Sequence, residues 1–319
     1  MTRPALLTVG EAMLRLSPSD GGALVDCPTL DFGIGGAELN VAIAASRMGM
    51  TSQWLTRLPD TVLGDRIIAH CRANGVEPVV ATGPERVGTY FIEIGPEPRG
   101  VTVTYDRSDS AFCYATPEEF DVPAVLAGAS AVFSSGITLA LGAGPRELVR
   151  AIYAPGRRRY FEINHRSKLA SLDEMKDWIE PILPNVDVLF ASPHDLRDIL
   201  GLGDDPVDAA EKALANFDLE YVVIPYRVGR VGGVGTNSIR IVGDGVDAYS
   251  ECEGRIVDPI GAGDTGAGVL IASLEQGLEP QSAADYAARA SAWVQTHAGD
   301  SAKFRRDEII NADRRRVRR

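Results

Sequence analysis

The chain has 319 residues, 45% of them hydrophobic and 24% charged, with a formal net charge of -12. That balance is ordinary for a globular chain and argues against a nucleic-acid-binding body. There is no apolar run of about 18 residues that would predict a membrane span, and the first residues lack a signal-peptide pattern. Four widely spaced cysteines without a CxxC pair read as free thiols of a cytoplasmic protein, and four scattered histidines without HExxH do not suggest a zinc site.

In chain order, a strand is predicted over 6–10, a helix over 38–48 stopped by Gly49, a strand over 51–58 and a helix over 64–74 stopped by Gly75. Further strands are predicted over 131–134, 159–163, 186–190 and 221–224. Helices are predicted over 145–153, 192–200 and 206–216, and an Ala-rich helical end over 264–276 and 282–296. This alternation predicts βαβ units and a parallel sheet, in one domain spanning 1–319. Two stretches, at about 12–35 and 87–112, break the rhythm. In the second, G-T-Y-F-I-E-I and V-T-V-T-Y-D-R flank G-P-E-P-R-G, period-2 runs around a turn that read as an antiparallel hairpin. Inserted strands need a surface to cover. A β lid over the C-terminal edge of the parallel sheet, where open α/β sheets bind ligands, provides one. The open edges of such a lid predict a homodimer through it. The arginine-rich tail at 314–319 reads as a solvated terminus or a basic arm.

Residues 258–268 read D-P-I-G-A-G-D-T-G-A-G. Gly261, Ala262, Gly263 and Asp264 sit where a loop enters a helix. Glycines there let successive backbone N–H groups point into one hollow, and the helix N-terminus adds partial positive charge. Such a hollow binds an anion, or stabilises charge developing on a transferring group. Asp264 at its mouth can take a proton from an attacking hydroxyl. Anion hole plus acid is what phosphoryl transfer to a sugar alcohol requires. The same residues alone also fit a plain helix entry with Asp264 as a first-turn acid. No G-K-[ST] follows, so this is not a Walker A loop.

Together with G-G-A-E-L-N-V-A at 35–42, running to Met48-Gly49, the D-x-x-G-A-G-D pattern resembles the paired signatures of the ribokinase-like (pfkB) carbohydrate kinases, over nearly the whole chain. The resemblance implies a three-layer α/β/α sandwich with a mainly parallel central sheet and a small β-sheet lid. It implies Asp264 as catalytic base, Gly261, Ala262 and Gly263 as anion hole, and Gly35, Gly36 and Asn40 as sugar contacts. Two glycines allow a hydroxylated ligand to approach the backbone, and Asn40 offers it both a donor and an acceptor.

T-Y-F-I-E … Y-D-R-S-D-S-A, S-G-I-T at 135–138 and N-H-R at 164–166 are similar to the 2-keto-3-deoxygluconate kinases within that family. The matching substrate residues are Tyr90, Tyr105, Arg107, Ile137 and Arg166. An arginine suits a carboxylate because its fork makes two hydrogen bonds. The implied reaction phosphorylates the terminal hydroxyl of an acidic keto-sugar with ATP and Mg2+. A neutral-sugar, fructokinase-like kinase and a non-catalytic sugar-binding relative are the alternatives.

Three departures stand out. Ser192-Pro193-His194-Asp195 occupies the place of the family's N-x-x-E motif, so the resemblance implies Asp195 as the metal residue, on a shorter arm; it also reads as a first-turn acid. The nucleotide turn, usually Lys or Arg followed by G-x-x-G, matches Gly229-Arg230-Val231-Gly232 after Pro225, displaced by a local insertion. Thr265-Gly266 replaces Ala-Phe, and a glycine inside the helix costs about 1 kcal/mol relative to alanine. Gly266 and Gly268 are expected to serve close packing.

Overall fold

Apolar residues run almost unbroken through the central strands, and neighbours point to opposite faces. This is the pattern of a sheet covered on both sides. The computed structural model describes residues 5–96 and 98–311, so the arginine-rich tail lies outside the described residues. The strands are β1 (Ala5–Val9), β2 (Met13–Pro18), β3 (Leu30–Gly35), β4 (Thr51–Pro59), β5 (Val76–Gly83), β6 (Thr89–Ile94), β7 (Val101–Asp106), β8 (Ala131–Ser135), β9 (Arg158–Glu162), β10 (Val188–Phe190), β11 (Tyr221–Val228), β12 (Val234–Gly243) and β13 (Val246–Arg255). The helices are α1 (Ala37–Arg47), α2 (Val62–Ala73), α3 (Val122–Ala127), α4 (Gly136–Ala140), α5 (Ala143–Ile152), α6 (Leu172–Ile179), α7 (Pro206–Phe217), α8 (Ala262–Glu275), α9 (Pro280–Val294) and α10 (Arg306–Ile310).

Nine strands form one sheet in the order β13-β12-β11-β10-β9-β8-β1-β4-β5. From β5 to β11 every pairing is parallel, and β11, β12 and β13 pair antiparallel. Leu6, Trp54, Phe133, Tyr160 and Val223 face one core, shared with residues of α1, α8 and α9. Their neighbours Leu7, Leu55, Val132, Phe161 and Val222 face the other, shared with α5, α6 and α7. Helices on both faces of a mainly parallel sheet make the three-layer sandwich the resemblance implies.

The Ala-rich end packs closely because its side chains are small. A Cβ on Gly266 would collide with Ser291 of α9. One on Gly268 would overlap the Val41 carbonyl of α1 and lie 2.8 Å from the Ala44 methyl. Both positions are close-packing sites, as expected.

The stretches at 12–35 and 87–112 supply a second sheet, in the order β3-β2-β6-β7. Tyr90 stands directly opposite Tyr105 on β6 and β7, with ring centroids 6.1 Å apart. Two predicted details differ. The helix expected over 192–200 is a single π-helical turn over Asp195–Ile199. The strand expected to stop at 224 continues through Pro225 to Val228, because β12 pairs with it residue for residue.

Candidate active site

A cleft of about 550 Å³ lies between the C-terminal ends of the large-sheet strands and the small sheet. It is lined by Gly35, Gly36 and Asn40 at the start of α1, Tyr90 and Tyr105 of the small sheet, Arg107 just after it, Ile137 at the start of α4, and Arg166 after β9. Asp195 and residues 261–264 at the start of α8 complete it. Distant parts of the chain meet here because parallel strands all deliver their following loops to one edge.

Gly261 caps α8 with φ 78, a left-handed conformation natural to glycine. The first backbone bond returning to it comes from Thr265, at 2.9 Å. The amides between them belong to the first turn, where no intrahelical acceptor exists. Gly263 has no packing reason to be glycine: a Cβ there would meet nothing within 4 Å. Asp264 follows, with its Oδ2 accepting a 2.8 Å hydrogen bond from Asn40 Nδ2. Burial raises its carboxyl to about 6. Asn40 and Arg166 oppose that rise, and the charge of Asp300 adds to it.

Two further acids share this field. Glu38 is fully enclosed, accepts hydrogen bonds from Ser135 (2.6 Å) and Thr138 (2.9 Å), and is pushed up to about 7, chiefly by burial. Glu162 is pushed up to about 8 by burial and then by Asp264, with Arg166 opposing and Asp195 and Glu38 adding. Its Oε2 is buried with no hydrogen-bond partner among the described residues. Asp195 Oδ2 accepts from Ser192 N at 2.9 Å and from Ser192 Oγ at 2.7 Å, so it closes its own turn as well as facing the cleft.

The arginines of the cleft differ. Arg166 is exposed, and its guanidinium donates to no described residue. Arg227 of β11 donates to the Pro259 carbonyl at 2.6 Å. Its pKa is lowered by burial and by Arg166. Asn237 stands opposite it on β12, buried, with Nδ2 unpartnered among the described residues. Arg107 is not the free carboxylate receptor expected from its place near the lid. It is buried and paired with Glu11, to which its Nε (2.9 Å) and Nη2 both donate. Tyr90 donates to Asp300 Oδ2 at 2.5 Å, whereas Tyr105 is exposed to the cleft.

Gly229 and Gly232, matched to the nucleotide turn, do not line the cleft. They occupy the tip of the long β11–β12 hairpin, where Gly232 approaches Pro96 of the small-sheet turn. Continued strand pairing carries the turn past the sheet edge. Sequence reasoning placed the stretch 162–166 where α/β sites hold ligands but gave Glu162 no role of its own, and assigned none to Glu38, Arg227, Asn237 and Asp300. Glu162 carried a usable signal, being the last residue of a strand just before Asn164 and Arg166. Asp300 carried none, since it reaches the cleft only through the loop after α9.

The pfkB family carbohydrate kinase model matches residues 3–306. A 2-dehydro-3-deoxygalactonokinase from Haloferax volcanii is 38% identical, over 95% of both chains. A 2-dehydro-3-deoxygluconokinase from Thermoproteus tenax is 30% identical, over 93% of this chain and 90% of that one. The structure of a 2-dehydro-3-deoxygluconokinase from Thermotoga maritima superposes with a TM-score of 0.93 and 33% identity, covering 97% of this chain and 99% of that one. The family model spans nearly the whole chain and these relatives are kinases by name: the chain belongs to the pfkB family of carbohydrate kinases and is a sugar kinase.

Proposed function

We propose that the protein transfers the γ-phosphoryl group of ATP to the terminal hydroxyl of an acidic keto-sugar, 2-keto-3-deoxygluconate or its galacto epimer. The observation that carries this reading is that Asp264, the first-turn amides of α8 and Arg166 line one cleft with Tyr90 and Tyr105. The names of the relatives support the acid substrate, and Arg166, with no hydrogen-bond partner among the described residues, is a cation available to it.

In this reading the small sheet is a lid that excludes water from the reacting groups. Asn40 holds Asp264 so that its carboxylate meets the substrate hydroxyl. Asp264 takes the hydroxyl proton. The freed oxygen forms its bond to the γ-phosphorus, the bond from that phosphorus to the bridging oxygen breaks, and ADP leaves with the electron pair. The amides of Gly261, Ala262 and Gly263 steady the transferring group, and Arg166 offsets its charge. The nucleotide is assigned to the wall holding Arg227 and Asn237 rather than to Gly229 and Gly232.

Mg2+ fits the acidic side of this cleft. It takes one or two carboxylates and fills its shell with water and phosphate oxygens. Glu162, with its unpartnered buried oxygen, and Asp195 would hold it. When bound it supplies positive charge to the phosphates. The open edges of β3 and β7, with Leu30, Phe32 and Val101 exposed, support a homodimer through the lid, and the composition supports a cytoplasmic setting.

One observation favours a neutral sugar instead: Glu11 already occupies two donors of Arg107. ADP release measured with 2-keto-3-deoxygluconate, 2-keto-3-deoxygalactonate, fructose and ribose tests both readings. Turnover with an acidic sugar is expected. Preference for fructose would transfer the assignment to the neutral class.

A further inference from the structure

Arg15 lies on β2 of the small sheet, is 4% exposed, and does not line the cleft. Burial works against its charge, but Asp300 and Asp258 more than offset that, so it is held protonated. Its Nη1 donates to Asp300 Oδ1 and its Nη2 to Asp258 Oδ2. Asp258 is fully buried; its Oδ2 also accepts from Gly299 N at 2.9 Å, and its Oδ1 from Ile260 N at 3.1 Å. One guanidinium therefore ties a lid strand to the loop before α8 and to the loop after α9.

Both loops bear on the reacting groups. The Asp300 carbonyl lies so close to Gly261 that a Cβ there would overlap it. The next residue, Ser301, donates from its Oγ to Asn40 Oδ1 at 3.2 Å. That bond sets which end of the Asn40 amide faces Asp264, and Nδ2 then donates to Asp264 Oδ2 at 2.8 Å. A second lid contact reaches the same segment through Tyr90 and Asp300.

We infer that Arg15 is a positioning residue: through Asp258 and Asp300 it makes the lid, the Gly261 turn and the Ser301–Asn40–Asp264 chain one rigid unit. Both of its terminal nitrogens are engaged, so it acts on the reaction through these partners and not by touching a ligand. The inference rests on Asp264 being the base.

The test measures kcat, both KM values and melting curves for Arg15→Met, Arg15→Lys, Ser301→Ala, Arg15→Met/Ser301→Ala and Asp264→Asn. A displaced reacting group can cost about 100-fold in rate. Arg15→Met is therefore expected to lose kcat on that scale, with KM for both substrates unchanged. Arg15→Lys, which keeps the charge but reaches one carboxylate at a time, should recover part of the loss. Residues acting as one unit are non-additive, so the double variant should be no slower than the worse single variant.

If Arg15→Met does not melt cooperatively, the lysine variant carries the test, with a loss of about ten-fold in kcat expected from one lost interaction. Native kcat in a folded Arg15 variant, loss confined to KM, or multiplied losses in the double variant would overturn the inference. An undiminished rate in Asp264→Asn would instead overturn the reading beneath it. A slow Asp264→Asn beside fast Arg15 variants removes only the inference.

Discussion

Asn40 at the start of α1 donates from Nδ2 to Oδ2 of Asp264 at the start of α8, at 2.8 Å. This contact joins the two glycine-rich signatures of the chain; burial lifts the Asp264 carboxyl to about 6, above the ordinary range, and the Asn40 bond opposes that rise. A base must be deprotonated to act, so kcat/KM should fall on the acid side with an apparent pKa near 6. Asn40→Ala removes a bond that lowers this pKa, so the acid limb should move to higher pH. A pH–rate profile of both proteins checks this; an unmoved limb would separate Asn40 from the base.

Gly263 separates ligand chemistry from packing. Alanine favours a helix over glycine by about 1 kcal/mol, and the added methyl meets no protein atom. Gly263→Ala should therefore melt no lower than the native protein yet lose activity, with a raised KM for ATP. Thermal melting and steady-state kinetics on one preparation check the pair. Unchanged activity would remove the glycine from the anion hole.

Gly268→Ala should do the reverse. Its methyl would press on the backbone of α1, and overpacking of this kind costs about 1–3 kcal/mol. A lower denaturant midpoint with near-native kcat at low temperature is expected.

The buried acids give stability a pH dependence with a definite sign. Glu38 at about 7 and Glu162 at about 8 stand above their unfolded value of 4.5. The folded state therefore binds more protons, and the stability these groups contribute is complete below pH 4.5 and lost as pH rises through 7 and 8. His70 and His297, lowered mainly by burial, act oppositely but only below their ordinary 6.5. Melting temperature should thus fall above pH 6.5, and Glu162→Gln should flatten the fall. Mg2+ should raise the melting temperature of the native protein more than that of Glu162→Gln; equal shifts would move the ion elsewhere.

The parallel core was legible because most central strands are apolar runs and the first two helices are followed by stops, Gly49 and Gly75, both at positive φ. The β12–β13 hairpin was legible in principle. Asp244-Gly245 is its two-residue turn, and Ile239 and Ile241 alternate with Ser238 and Arg240, but glycines at 233 and 235 obscured the strand. The capping box of Ser171 and Glu174 marks the start of α6, which is absent from the predicted helices. Asp264, Asn40 and the glycines were singled out because they lie in two short motifs that carry the family resemblance. Glu11, Arg15 and Asp300 were not, because each acquires its role from a partner far along the chain, as Glu11 does by occupying Arg107.

In the proposed reaction Asp264 is the proton acceptor in phosphoryl transfer to a sugar hydroxyl. Asp264→Asn keeps the shape and removes the base. With 2-keto-3-deoxygluconate and ATP, ADP release should fall on the order of 10²- to 10⁴-fold while thermal shifts still report binding of both ligands. A native rate in the folded asparagine variant would contradict the account.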